Sequence, residues 1–338
     1  MSASVETPDV IAPEPSIVHE IIAQIRSVQR IIILGHSHPD GDCFGSGLSL
    51  YGILKAMGKD VRFVTTGPIP HYITWMPWID DVETTLPPHD ENPDLWIYVD
   101  CGDQERVDDD WRPTKGPIIN IDHHLSNTRF GGLNWVDTDA AAAAEMIYRL
   151  ALVIGVEITP DIATCIFTGL MTDTGGFRYS NTDSITFSAA GHMVKCGAKP
   201  SDIAQAVFES RKPQSVKLMG EVYATLNYEF SGHFVWNEIT QDLYRQVGGD
   251  EFEPDGLSSD IRAIEGVEMS ALFHETEEGH CRVGLRSRGK VNVSALAQML
   301  GGGGHHNASG AYMRGECNYA VTRDAALETI RKYLSDIF

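Results

Sequence analysis

RIIILGHSHPDGD (residues 30–42) is a short apolar run that ends abruptly on imidazoles and carboxylates. Arg30–Leu34 is continuous and Ile-rich, the pattern of a strand buried on both faces of a parallel sheet. Two further runs end the same way: LWIYV at 95–99 stops at Asp100, and PIINI at 117–121 stops at Asp122-His123-His124. In open α/β sheets, ligands bind beyond the carboxyl ends of such strands. Three distant segments are therefore expected to deliver His and Asp side chains to one edge of one sheet. That is how a metal site is assembled, and it points to an enzyme.

Working outward from these runs, helix and strand alternate. Helices are expected over Val18–Ser27, from Gly45-Ser46 to Met57, and over Ala140–Ile154, Pro160–Met171, Ser184–Lys195 and Ser201–Glu209. Val61–Thr65 and Ile118–Ile121 complete a set of strands with the two apolar runs. This alternation predicts an α/β fold with a doubly wound, mainly parallel sheet in the N-terminal part. The character changes after Lys212. A helix over Val216–Leu226 is followed by strands at His233–Glu238, Val267–His274 and His280–Ser287. Helices at Val293–Leu300 and Asp324–Ile337 complete a smaller α+β domain. The expected organisation is a flexible tail at 1–15, a catalytic domain at 16–212, a linking helix region at 213–230 and a substrate-binding domain at 231–338, with the active-site cleft between the two domains.

The length of 338 residues agrees with two domains, at about 150 residues each. A formal net charge of −21 argues against long duplex nucleic acid, whose affinity comes mostly from basic contacts to phosphate. A phosphate substrate would need local cations. The six cysteines contain no Cys-x-x-Cys pair and read as reduced thiols in a cytoplasm. No run reaches the roughly 18 apolar residues needed to span a bilayer, and the N-terminus lacks the basic-then-apolar order of a secretory signal. A cytoplasmic protein with no membrane partner is expected.

The candidate residues each have a physical reason. His36, Asp40 and Asp42 lie within seven residues around Gly41, a loop able to aim one imidazole and two carboxylates at a common cation pair, although Pro-Asp-Gly-Asp is also ordinary turn composition. Asp100 follows a fully apolar strand, where an unpaired buried carboxylate is costly and cations relieve that cost. Adjacent His123 and His124 cannot point the same way from an extended backbone. One plausible split makes His123 a metal ligand and His124 a substrate contact, with Asp122 holding an imidazole in the needed tautomer. Asp173 ends an apolar helix before two glycines. Arg178 is a candidate to neutralise a phosphate. Gly301–Gly304, followed by His305-His306-Asn307-Ala308-Ser309-Gly310, offers backbone N–H donors for a phosphate.

Taken together, His-x-x-x-Asp-x-Asp, the strand-end Asp100, Asp-His-His and Thr172-Asp173-Thr174-Gly175 resemble the motifs of the DHH phosphoesterases. Arg286-Ser287 and the 301–310 block resemble the DHH-associated C-terminal domain, so the resemblance covers about residues 18–335. It implies two divalent metals, usually manganese, with magnesium as the alternative. His36, Asp40 and Asp100 would hold one; Asp42, Asp100, His123 and Asp173 would hold the other, with Asp100 bridging. His124 would contact the scissile phosphate and protonate the leaving oxygen. Arg286, Ser287, Gly302, Gly303, Gly304, His305 and Ser309 would bind the far phosphate or terminal nucleotide. His306 falls on a variable position, and Cys43 is set aside as a ligand.

A carboxylate-rich donor set with two imidazoles and no thiolate suits a hard octahedral ion. Two such ions about 3.5–4 Å apart stabilise the entering and leaving oxygens of an in-line phosphoryl displacement. Within the family, the size and motifs look most like enzymes that degrade short RNA oligonucleotides to mononucleotides and dephosphorylate adenosine 3′,5′-bisphosphate (pAp). The expected partners are short single-stranded RNA or dinucleotides and pAp, with a homodimer left open. Sibling activities on linear or cyclic dinucleotides, or on longer single strands, stand as alternatives, as does a non-catalytic nucleotide-binding module.

Overall fold

The computed structural model describes residues 16–37, 39–84, 93–107, 112–113, 115–248, 256–314 and 318–338. The expected tail at 1–15 and Cys317 lie outside them. The chain divides into two compact units that meet between Ser210 and Arg211.

The first unit runs α1 (Ser16–Ser27), β1 (Arg30–Leu34), α2 (Gly41–Ala56), β2 (Asp60–Val64), β3 (Val82–Glu83), β4 (Leu95–Val99), β5 (Ile118–Asp122), β6 (Leu133–Val136), α3 (Ala143–Ile154), α4 (Pro160–Asp173), α5 (Ser184–Lys195) and α6 (Pro200–Phe208). Its sheet has the order β3-β2-β1-β4-β5-β6, and every pairing in it is parallel. The direction of winding reverses between β1 and β4, so the topological switch point lies at their carboxyl ends, where such sheets bind ligands. Those ends lead into His36 and Asp100. Strand β4 is buried along its whole length, as its uniform apolar run requires.

The expected β1 and β4 match the observed bounds, and other boundaries moved for local reasons. Helix α2 begins at Gly41, four residues before the expected start, because the Asp40 side chain accepts the backbone N–H groups of Asp42 and Cys43 and so acts as its N-cap. Asp42 therefore belongs to the first helical turn and not to a loop. Strand β3 has only two residues and β6 is only partly buried, so neither carries a long apolar run for sequence reading to detect.

The second unit runs α7 (Pro213–Ala224), β7 (Asn227–Glu229), β8 (Phe234–Ile239), α8 (Gln241–Val247), α9 (Leu257–Arg262), β9 (Met269–Glu275), β10 (Cys281–Ser287), α10 (Val293–Met299), β11 (Gly303–His305), β12 (Ala308–Met313) and α11 (Tyr319–Ser335). Its sheet order is β11-β12-β10-β9-β8-β7. The β8–β9 pair is parallel and the others are antiparallel. Helix α7, in the stretch read as a link, buries Leu218, Met219 and Val222 with Val235, Ile239 and Tyr244, so it is part of this unit's core. Helix α11 starts at Tyr319, capped by Asn318, five residues before the expected Asp324. No helix among the described residues is long and apolar enough to cross a membrane.

Candidate metal centre

Glycine lets α2 and α4 approach closely, and this approach builds the site. A Cβ on Gly45 would lie 2.7 Å from the backbone of Gly169, and one on Gly169 would lie 2.7 Å from Asp42 Oδ1. The contact carries Asp42, near the start of α2, and Asp173, at the end of α4, towards the strand ends. Asp42 has a second task. Helix α3 has Ala142 at its N-cap, with no side-chain oxygen to offer. The Asp42 carboxylate takes that place from 101 residues away, accepting N–H from Ala143 at 2.7 Å and Ala144 at 3.0 Å. A carboxylate at a helix N-terminus also meets the positive end of the helix dipole.

His123 stands at the middle of the cluster. Its Nε2 lies 3.6 Å from Asp42 Oδ2, 3.5 Å from Asp100 Oδ1 and 3.7 Å from Asp173 Oδ2. These separations exceed a normal hydrogen bond and suit donors that share a cation. Its Nδ1 lies 3.1 Å from the Ala140 carbonyl. A carbonyl only accepts, so Nδ1 carries the proton and Nε2 is turned to the carboxylates, the orienting contact usual for a ligating histidine. His36 Nε2 sits 3.5 Å from the other Asp100 oxygen, and His124 Nδ1 lies 3.5 Å from Oδ1, so Asp100 faces imidazoles with both oxygens. Asp100 itself has φ +53. That left-handed conformation is sparsely populated by residues other than Gly, although Asp and Asn visit it, and such outliers concentrate at functional sites.

The charges are strongly coupled. Burial works against the Asp100 carboxylate, but His123 and His36 outweigh it and hold its pKa well below the ordinary range. Burial, then the charge of Asp100, raises Asp42 well above that range. Burial pushes Asp173 up to about 6. Burial also opposes charge on His123, yet Asp100, Asp173 and Asp42 raise its pKa well above that of a free imidazole. Several carboxylates competing for one imidazolium is the electrostatic signature of a site short of positive charge.

The second histidine is held apart from the first. His124 Nδ1 lies 2.7 Å from Asp122 Oδ1. The other Asp122 oxygen accepts N–H from Asn127 at 2.6 Å, and the same Asn127 amide nitrogen lies 2.7 Å from Asn120 Oδ1. The imidazole that Asp122 hydrogen-bonds is thus His124 and not His123. Sequence reading assigns Asn127 no role. It also missed Asn181, whose amide donates to the carbonyls of Ala141 and Asp173 and lies 3.4 Å from Asp173 Oδ2. It missed Arg106 too, whose Nη1 lies 3.3 Å from His124 Nε2. Lone polar residues in turns carry no spacing signal that would have found them.

Within the first unit, three donor groups have their ligand atoms within 4.8 Å of one another: His36, Cys43 and Asp100; Asp42, His123 and Asp173; and Asp100, Asp122 and His124. Of the six residues expected to hold metal, five fall in these groups. Asp40 is exposed and spends one oxygen on capping α2. Cys43, set aside from sequence, does bring its Sγ to the first group. Burial, then the Asp100 charge, holds its thiol well above the usual pKa, so it packs there as a neutral group. Buried His36 Nδ1 and Asp100 Oδ1 have no hydrogen-bond partner among the described residues. Unsatisfied buried donors and acceptors of this kind call for an explanation, and a hard cation among carboxylates and imidazoles supplies one.

The remaining candidates lie elsewhere in the two units. Arg178 is exposed, and its Nε folds back onto the Gly175 carbonyl at 2.5 Å. In the second unit, Arg286 on β10 pairs in register with Ala308 and Ser287 follows it. Ser287 Oγ lies 3.1 Å from Asn307 Oδ1, and Ser309 Oγ donates to the His305 carbonyl at 2.7 Å. The glycine block is more ordered than its composition suggests: Gly303–His305 forms an edge strand. A Cβ on Gly302 would lie 2.1 Å from the Gly310 carbonyl, so close backbone packing alone demands glycine there.

The strand order, the switch-point location and the carboxylate–imidazole cluster together define a metal-dependent phosphoesterase. The chain belongs to the DHH family: the model of the DHH family N-terminal domain matches residues 30–170, and that of the DHHA1 domain matches residues 241–336. It is 36% identical over 335 residues to the bifunctional oligoribonuclease and PAP phosphatase NrnA of Thermus thermophilus, covering 96% of this chain and 97% of that protein. The protein of the same name from Bacillus subtilis is 30% identical over 295 residues, covering 86% and 92%. A solved structure of an exopolyphosphatase-related protein from Bacteroides fragilis aligns with a TM-score of 0.83 at 26% identity, covering 97% and 98%.

Proposed function

We propose that this chain hydrolyses short RNA oligonucleotides to mononucleotides and dephosphorylates pAp, using two divalent ions, most suitably Mn2+, in the cytoplasm. The observation that carries the reading is the convergence of Asp42, Asp100 and Asp173 on His123 Nε2 within 3.5–3.7 Å, with the ring fixed from behind by Ala140. His36 and Asp100 would hold one ion, with Asp40 at its outer edge. Asp42, Asp100, His123 and Asp173 would hold the other. Bound there, the ions supply Lewis-acid stabilisation of phosphoryl oxygens and activation of the attacking water.

The chain's own residues do the rest. Asp42 is held by the α3 N–H groups, so its carboxylate needs little reorganisation to bind an ion. Asp122 and Asn127 fix the His124 ring, which delivers a proton to the leaving oxygen as general acid. Arg286, Ser287, His305, Ser309 and the Gly302–Gly304 backbone would grip the far phosphate or terminal nucleotide, which favours short substrates. The names of the two relatives at 36% and 30% identity support the substrate class.

The test is a product ladder from end-labelled RNA of two to ten nucleotides, run with Mn2+ beside pAp and cyclic dinucleotides. Mononucleotides and AMP are expected from the wild type, and Asp100→Ala should abolish both. A wild type that releases neither product overturns the reading, and an active Asp100→Ala overturns the site assignment.

A further inference from the structure

We infer that Arg106 binds a non-bridging oxygen of the scissile phosphoryl group, a role beyond the activity proposed above and resting on it for the substrate class. The residue closes a single 3-10 turn, Gln104–Arg106, which Asp103 caps by accepting Glu105 N–H at 2.8 Å. The turn is braced from two sides. Arg112 donates to the carbonyls of Gln104, Val107 and Glu105 at 3.0, 2.9 and 3.2 Å. The Arg106 carbonyl accepts N–H from Ser37 at 2.8 Å, the neighbour of His36. The base of the side chain is thus tied to the loop that carries a metal-ligand candidate.

Its head is aimed at the site and has no carboxylate partner among the described residues. Asp42, Asp100, Asp122 and Asp173 surround the imidazoles, yet Arg106 forms no ion pair with any described acidic residue. Among the described residues its side-chain contact is to His124 Nε2 at 3.3 Å, long for a hydrogen bond. A guanidinium always donates and presents five N–H groups in a planar fork. It therefore meets the lone pair of Nε2 in the substrate-free site, while the opposite ring nitrogen faces Asp122. Nε2 takes up from water the proton it delivers only once the phosphoryl group has drawn the guanidinium away. Nε2 is the atom that must meet the leaving side of the phosphoryl group. A phosphate seated against it falls within the span of the remaining N–H groups. Charge-assisted pairing of Arg with a phosphate oxygen is stronger than the contact it replaces. In a chain of net charge −21, this supplies local positive charge from the first unit. Arg178, by contrast, is exposed and folded onto its own loop.

The test is titration of inorganic phosphate into the full-length, Mn2+-loaded protein by calorimetry, for wild type, Arg106→Ala, Arg106→Gln, His124→Ala and the Arg106→Ala/His124→Ala double variant. Melting temperature and Mn2+ stoichiometry are measured alongside. Arg106→Ala should weaken phosphate binding tenfold or more, with Mn2+ stoichiometry and melting unchanged. The loss should persist in the His124→Ala background, because a direct contact does not need the ring. If Arg106→Ala does not fold, Arg106→Gln carries the same expectation. Phosphate affinity within threefold of wild type in a folded variant overturns the inference. So does a loss that vanishes without His124, which would make Arg106 a positioning residue for the ring. Because the titrant is phosphate, a wild type that binds it through Arg106 but cleaves neither pAp nor short RNA refutes the earlier substrate reading and leaves this one standing.

Discussion

Replacing Gly169 by alanine tests whether the α2–α4 contact, and not the ligands alone, sets the site. The added Cβ would stand 2.5 Å from Ala144 Cβ and 2.7 Å from Asp42 Oδ1. Carbon atoms pack best at about 3.5–4.0 Å, so the helices must part by about 1 Å or the Asp42 carboxylate must move. Overpacking of this kind costs about 1–3 kcal/mol, and the better helix propensity of alanine offsets about 1 kcal/mol. A net loss of up to about 2 kcal/mol in urea denaturation is expected. Mn2+ affinity, measured by calorimetry, should fall at least tenfold, because the displaced Oδ1 accepts the Ala144 N–H and its movement turns the whole carboxylate, including the Oδ2 that faces His123 Nε2. Gly191→Ala is the control. It lies mid-helix in α5, and a Cβ there meets nothing within 4 Å, so it should stabilise by roughly 0.5–1 kcal/mol without touching Mn2+ binding. If Gly169→Ala keeps wild-type Mn2+ affinity, the geometric argument for Asp42 is wrong.

Three further outcomes are expected. Glu145, buried in α3 and accepting a hydrogen bond from Thr186 Oγ1 at 3.2 Å, is pushed by burial from 4.5 to about 7. The folded state thus favours the protonated acid, so the contribution of Glu145 to stability is greatest below pH 4.5 and declines as pH rises through 7. Linkage puts the loss at about 3 kcal/mol, and Glu145→Gln should remove it in urea melts compared from pH 4 to 8; parallel curves would refute this. Asp122→Asn should lower kcat by about 10²–10⁴ while leaving Mn2+ stoichiometry intact, since the carboxylate orients His124; an unchanged rate would remove His124 from the mechanism. Arg286→Ala should raise the Michaelis constant more than it impairs metal loading, and an unchanged constant would remove the second domain from substrate binding.

The metal centre was legible in part because buried parallel strands must be apolar and their ends need not be. An Asp or His after RIIIL, LWIYV or PIINI therefore stands out, and β1 and β4 emerged with the expected bounds. The alternation of helix and strand revealed the sheet for the same reason, since each element buries a face of characteristic period. Short or half-buried elements such as β3, β6, α8 and α9 leave too few apolar residues to show a period. Composition does not reveal that Gly303–His305 forms an edge strand or that Gly302 packs against the Gly310 carbonyl, because both follow from a backbone approach made only in the folded chain.

Sequence by itself determined which residue types stand at the strand ends, the family pattern they form and the acidic balance that makes local cations necessary. Tertiary structure alone decided how those groups divide their work. Only the folded chain brings Asp42 to the α3 N-terminus across 101 residues, aims Asp122 at His124 and not His123, and turns Arg106 towards His124. Strand identity follows from local burial, which a linear pattern encodes. The division of labour among neighbouring side chains follows from contacts a few ångströms across between segments far apart in the chain, and no spacing rule carries that information.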